Sequence, residues 1–132
     1  MSEVQELPIV GRTVDEVGYG SGGLWLRFWT PVSREFNLHI EGPFHLVADG
    51  ATVELDPRVP DLVWFSLVGR TIDAAEADGQ GSLCVRFSDG SRLNVPSYRY
   101  EAWQLEGPDG LLFVGVAGGG LAVWPVDSAR RE

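Results

Sequence analysis

The chain has little of what disulfide-linked or membrane-spanning proteins depend on. Only one of its 132 residues is cysteine, Cys84, so no disulfide can form within the chain. No apolar run approaches the roughly 20 residues that a membrane-spanning helix requires. Residues 1–7 are acidic and polar and lack the apolar centre of a signal peptide. We therefore expect a protein of the reducing cytoplasm, with no membrane partner.

Positive charge is also scarce. Ten Lys and Arg residues stand against 19 Asp and Glu residues, which gives a formal net charge of −9 at pH 7. A nucleic-acid backbone would be repelled unless one face were strongly basic, and the basic residues are spread along the chain without forming such a stripe. The composition therefore predicts no nucleic-acid binding. Such acidity is typical of a soluble protein, and it also suits attraction to a basic protein.

Glycine and proline, in contrast, are plentiful, with 17 and 8 residues. Together with few strong helix formers they predict many short strands joined by tight turns. Hydrophobic residues make up 44% of the chain and charged residues 22%, as in folded globular proteins rather than disordered ones. The length fits one domain, residues 1–132, of mainly β structure.

The sequence contains an internal repeat. Four short segments recur in the same order: 10–15 with 68–73, 24–28 with 83–87, 36–38 with 93–95, and 41–43 with 106–108. Two copies are too few for a solenoid, so each copy is expected to cover the apolar face of the other.

The repeats are taken as residues 7–48 and 65–124, with 49–64 as linker. Within each repeat apolar residues alternate with polar ones, which indicates half-buried antiparallel strands. The predicted fold is therefore two antiparallel meanders related by pseudo-twofold symmetry, packed as a sandwich or a flattened barrel.

The register of one hairpin can be predicted from the sequence. A three-residue loop at 88–90 places Val85 opposite Leu93 and keeps the apolar side chains on one face, which a two-residue loop would not. The same register puts Arg86 opposite Arg92, a like-charged pair that calls for a nearby acid. Candidates for that acid are Asp73, Glu76 and Glu101 on a neighbouring strand. The alternative is a bound anion or the carboxylate of a partner protein.

A short helix is predicted to begin at Pro60 and to run through Phe65, because proline is favoured in the first helical turn. Later strands are expected at 100–105, 111–116 and 121–124.

Trp25, Arg27 and Trp29 alternate on what should be the outer side of one strand. Exposed aromatic and Arg side chains are typical of interface hot spots, and a guanidinium stacked on the rings adds a cation–π contribution. The alternative is that both faces of this strand are buried. The first interpretation makes these three residues a candidate interaction surface.

No catalytic, cofactor-binding or metal-binding set is predicted. The two histidines, His39 and His45, have a spacing that matches no ligand motif. Cys84 takes the place of Trp25 in the second repeat, which indicates packing rather than a nucleophile. If the protein is instead a small-molecule binder or an unrecognised enzyme, its pocket is expected between the two halves. Polar residues expected to line that pocket are Asn37, His39, Arg86 and Asn94.

The segment 100–108, Tyr-Glu-Ala-Trp-Gln-Leu-Glu-Gly-Pro, follows Val-Gly-Arg-Thr at 68–71 and Phe-Ser-Asp-Gly at 87–90. With these motifs the chain resembles, over residues 7–124, a family of small uncharacterised actinobacterial proteins with no assigned activity. In style it is also similar to immunity proteins of bacterial toxin systems. We expect a non-enzymatic interaction module, immunity-like or self-associating as a dimer, that binds a protein partner or a second copy.

Overall fold

The predicted β architecture is confirmed. A computed structural model describes residues 4–20, 23–28, 36–59 and 62–124, in which twelve strands form two antiparallel sheets. In chain order they are β1 (Val4–Glu6), β2 (Val14–Gly20), β3 (Gly23–Phe28), β4 (Phe36–Ile40), β5 (Phe44–Ala48), β6 (Ala51–Leu55), β7 (Ile72–Asp78), β8 (Leu83–Phe87), β9 (Arg92–Val95), β10 (Trp103–Glu106), β11 (Leu112–Gly115) and β12 (Leu121–Trp124). A short helix, α1 (Leu62–Phe65), precedes β7.

The two sheets form a sandwich rather than a closed barrel. Sheet A has the order β1-β7-β8-β9-β5-β6, and sheet B has the order β12-β11-β10-β4-β3-β2. Each half of the chain contributes to both sheets. The first half builds the meander β2-β3-β4 in sheet B and then crosses to sheet A with β5 and β6. The second half builds β7-β8-β9 in sheet A and then crosses to sheet B.

The repeated Gly-Arg-Thr segments lie against each other at the pseudo-twofold axis. The Oγ1 atoms of Thr13 and Thr71 are 3.1 Å apart, and the two residues form an antiparallel bridge. Around them, backbone hydrogen bonds of 2.8–2.9 Å join segment 11–14 to segment 69–72 in equivalent pairs. The duplication read from the sequence is therefore a symmetry of the backbone.

Strand pairing changes two of the four segment matches of the internal repeat. His39 lies opposite Trp25, and Asn94 lies opposite Cys84, so His39 and Asn94 are equivalent. The match of 36–38 with 93–95 is thus displaced by two residues, because seven residues separate β3 from β4 and four separate β8 from β9. Segment 41–43 joins the two sheets, whereas 106–108 leads into the β10–β11 hairpin.

The β8–β9 hairpin has the predicted register, with Val85 opposite Leu93 and Arg86 opposite Arg92. Gly90 has φ 93°, as the three-residue loop requires. The expected acid is not there: among the described residues no carboxylate lies within 4.0 Å of the nitrogens of Arg86 or Arg92. Both arginines are exposed, so water screens their repulsion.

The short helix α1 lies within the predicted stretch, whose first two residues, 60 and 61, are outside the described ranges. Trp64 is buried, its indole Nε1 donates to the Gly18 carbonyl at 3.2 Å, and its ring meets Phe44 edge-on. The stretch 49–64, predicted as a linker, also contains β6. The strand predicted at 100–105 begins at Trp103, which leaves Tyr100 in the crossover segment, 63% exposed.

The inner faces of both sheets form one apolar core. Side chains from each sheet are fully buried in it, among them Leu26, Leu38, Val85, Leu93 and Leu105. Polar side chains of the strands consequently point away from this core, onto the outer face of sheet A or the outer face of sheet B.

Candidate functional site

The outer face of sheet B, called the sheet B face below, brings together two sets of predicted residues. Trp25 and Arg27 lie on β3, and Asn37 and His39 lie beside them on β4. Gln104 continues the row on β10, directly opposite His39. All five are half-buried and alternate with core residues. Trp25 and Arg27 therefore share one surface with Asn37 and His39, half of the predicted polar pocket. Trp29, the third residue of the predicted interaction surface, lies outside the described residues.

The guanidinium of Arg27 stacks on the indole of Trp25, and neighbouring side chains fix the position of this stack. The indole of Trp25 lies against Gly18, where any Cβ would collide with the ring. The guanidinium of Arg27 lies 4.6 Å from the Trp25 ring centroid. It donates to Glu16 Oε1 and to Asn37 Oδ1, both at 2.9 Å. Arg27 is thus fixed by two acceptors while it covers the ring, which gives a cation–π contact in a defined position.

His39 connects this stack to a cleft at the end of the sandwich. Its Nδ1 lies 3.2 Å from Glu41 Oε2. Glu41 begins the crossover from sheet B to sheet A, and the return crossover, 96–102, packs beside it. The backbone N–H groups of Glu41 and Gly42 both donate to the Ala102 carbonyl, at 2.8 and 3.0 Å.

The cleft between these segments, called the crossover cleft, has a volume of about 190 Å³. Its lining combines carboxylates, rings and one arginine: Glu41, Pro43, Asp56, Arg58, Tyr98, Tyr100 and Glu101.

Charge in the crossover cleft is unevenly compensated. Arg58 binds Asp56 through two side-chain hydrogen bonds of 2.9 and 3.1 Å, which lower the pKa of Asp56. Glu101 has no such partner among the described residues. Burial raises the pKa of Glu101, the charge of Glu41 raises it further, and His39 opposes both effects. The cleft therefore holds two carboxylates that repel each other.

The remaining predicted pocket residues lie on the other side of the molecule. Arg86 and Asn94 are on the outer face of sheet A, so they cannot share a pocket with Asn37 and His39. An open depression of about 390 Å³ on that face contains Asn94, Cys84 and His45 among its lining residues. The prediction of one pocket from all four residues is wrong because the two halves present them on opposite sheets.

The surroundings of Cys84 disfavour the thiolate form that acts as a nucleophile. Burial raises the pKa of its thiol, and the charges of Arg92 and Arg86 only partly oppose that shift. A thiol that remains protonated is a poor nucleophile. His39 and His45 lie on different sheets, and within the described ranges no three His, Cys, Asp or Glu residues are grouped to hold a metal. No helix in the described part of the chain is long and apolar enough to cross a membrane.

The sequence did not reveal the crossover cleft. Its main residues, Glu41 and Glu101, are far apart in the chain and meet only because the crossovers pack together. The sequence feature that could have indicated the cleft is the segment Tyr98 to Glu101, Tyr-Arg-Tyr-Glu. Its last two residues were instead assigned to the strand predicted at 100–105.

Comparison with known proteins gives a family but no activity. The model of a family of unknown function, DUF6188, matches residues 5–125. No curated protein and no solved structure matches the chain.

Proposed function

We propose that this chain, which belongs to the family of unknown function DUF6188, is a protein-interaction module that binds its partner through the sheet B face. The observation that carries the proposal is the Trp25–Arg27 stack, held by Glu16 and Asn37. Trp and Arg are the residues most enriched in interface hot spots. A stack that is already fixed loses little side-chain entropy on binding.

The pseudo-twofold symmetry supplies a comparison within the molecule. Trp25 of sheet B and Cys84 of sheet A occupy equivalent positions. Trp25 pairs with His39 and Cys84 pairs with Asn94, so His39 and Asn94 are equivalent as well. Sheet A forms with Cys84 opposite Glu76, whereas in sheet B the Trp25 ring lies over Gly18, so the strand pairing itself does not depend on a ring at this position. The difference supports a role for Trp25 on the surface of sheet B.

Charge favours a basic protein as the partner. A chain of net charge −9 repels a second copy of itself and attracts a positively charged protein. We therefore favour an immunity-like role, in which this acidic module caps a basic protein, over a self-associating dimer. Small-molecule binding is the second candidate, and the depression that contains Cys84 on sheet A is the feature in its favour.

Site-specific photocrosslinking in the native host tests which face binds. Glu106 and Glu54 are exposed glutamates on the outer faces of sheet B and sheet A, so replacing either by a photoreactive phenylalanine removes the same charge. We expect a crosslinked product from position 106 and none from position 54, and we expect Arg27→Ala to abolish it because the stack is lost.

Equal crosslinking from both faces, or crosslinking from position 54 alone, contradicts the proposal. A product of twice the 14.4 kDa mass of the chain shows that the occupant of the face is a second copy. Thermal unfolding of the Arg27→Ala variant serves as the control for an intact fold.

A further inference from the structure

We propose that the crossover cleft receives an arginine side chain of the basic partner. The identity of the partner rests on the proposed function, whereas the affinity of the cleft for a guanidinium group does not. The argument stands on the shape of the cleft, on its charges and on its continuity with the sheet B face.

The size and lining of the cleft suit one long cationic side chain. Its volume of about 190 Å³ is below the roughly 300–1,000 Å³ of pockets that hold drug-sized ligands. Two tyrosine rings stand at the cleft, Tyr98 half-buried and Tyr100 exposed, with centroids 5.7 Å apart. Aromatic rings bind guanidinium groups by stacking and by cation–π attraction, and Arg uses both more readily than Lys.

The charges of the cleft point to the same ligand. Glu101 is partly buried without a cationic partner among the described residues, and Glu41 lies near enough to raise its pKa. A guanidinium would relieve this repulsion and form charge-assisted hydrogen bonds with a carboxylate. A chloride, phosphate or carboxylate ligand would meet the repulsion of both groups.

The cations that the structure describes near the cleft do not fill this role. Arg58 is engaged with Asp56. The guanidinium of Arg99 lies 5.5 Å from the Tyr100 ring centroid and 5.9 Å from that of Tyr98, and Arg99 does not line the cleft. His39 contacts Glu41 from the side of sheet B. Within the described ranges, the carboxylate of Glu101 is therefore available to a ligand.

The cleft and the sheet B face are continuous. Trp25 lies opposite His39 in the strand pairing, and His39 contacts Glu41, which lines the cleft. A partner seated on the Trp25–Arg27 stack would therefore have the cleft within reach of its neighbouring side chains. Charged side chains that reach such a cleft fix the orientation of a partner.

The test is an NMR titration of the full ¹⁵N-labelled chain with N-acetyl-L-arginine amide. N-acetyl-L-citrulline amide, a neutral molecule of nearly the same shape, is the control ligand. We expect saturable shifts of the backbone amides at 41–42 and 98–101 with the arginine derivative only. Glu101→Gln is expected to weaken this binding about tenfold, because a carboxylate that lines the cleft is removed.

Asp73→Asn is the control variant, because it removes one negative charge, as Glu101→Gln does, at an exposed position on sheet A. The Asp73→Asn variant is expected to bind the arginine derivative as the wild type does. Should Glu101→Gln fail to fold, Glu41→Gln, at an exposed position, takes its place with the same expectation. Equal shifts with citrulline, shifts scattered over the surface, or equal weakening by Asp73→Asn would overturn the proposal. If arginine binds here but position 106 captures no partner, the proposed function fails and the cleft assignment stands.

Discussion

Replacement of Trp103 by Ala is expected to lower the free energy of unfolding by about 4 kcal/mol, the range for truncating a large buried aromatic side chain. The side chain of Trp103 is fully buried between the sheets. Its indole Nε1 donates to the Gly81 carbonyl at 2.8 Å, and its ring packs against Gly115 so closely that a Cβ there would collide with it. The substitution leaves a cavity and an unpaired buried carbonyl, and both effects destabilise the fold.

Equilibrium unfolding in urea measures this effect. Trp124→Ala is the matched control, because Trp124 is 51% exposed on the edge strand β12, and its truncation is expected to cost less than about 1 kcal/mol. A loss below about 1.5 kcal/mol for Trp103→Ala would contradict the described core, since fully buried Trp residues cost more than that.

Gly81→Ala is expected to lower the free energy of unfolding by about 3 kcal/mol, from backbone strain and from a backbone collision together. Gly81 lies in the turn between β7 and β8 with φ 91°, a conformation that strains any side chain. An added Cβ would also collide with the Gly120 carbonyl oxygen. That oxygen belongs to the β11–β12 hairpin, which is tied to this turn by a 2.7 Å hydrogen bond from the Gly120 N–H to the Gln80 carbonyl. The substitution therefore forces two hairpins of different sheets apart.

The neighbouring Gly79 provides the control for this prediction. It lies in the same turn, but an added Cβ there would meet nothing within 4 Å. Gly79→Ala is expected to change stability by less than about 0.5 kcal/mol. Similar urea midpoints for the two variants would show that Gly81 and Gly120 are not in contact.

The local features of the fold were predictable from the sequence, and the exchange of strands between the sheets was not. Side-chain parity determined the register of the β8–β9 hairpin, because any other loop would have mixed core and solvent faces. The short helix was predicted over 60–65 from proline in the first turn, and α1 lies within that stretch, with Pro60 itself outside the described residues. Which sheet β5 and β10 would join depends on contacts between distant segments, and alternation along one strand carries no information about them.

The candidate site could also be predicted only in part, and again the local features were the predictable ones. Trp25 and Arg27 were identified as a surface pair because they alternate with core residues on one strand. The crossover cleft was missed because Glu41 and Glu101 meet only after both crossovers have packed. Arg86 and Asn94 were assigned to the wrong pocket for a related reason: periodicity shows that a residue faces outward, but not on which side of the sandwich.

The central claim is that the sheet B face is the binding surface. It is tested by measuring the affinity of two variants of this chain for the partner that crosslinking identifies. Trp25→Ala and Cys84→Ala change equivalent positions on opposite sheets, and thermal unfolding of both variants separates any effect on the fold from the effect on binding. Trp25→Ala is expected to weaken binding by about 30-fold, the loss of a hot spot worth roughly 2 kcal/mol, and Cys84→Ala by less than about twofold. Measured by calorimetry on folded variants, the reverse order, or no change with Trp25→Ala, would contradict the account.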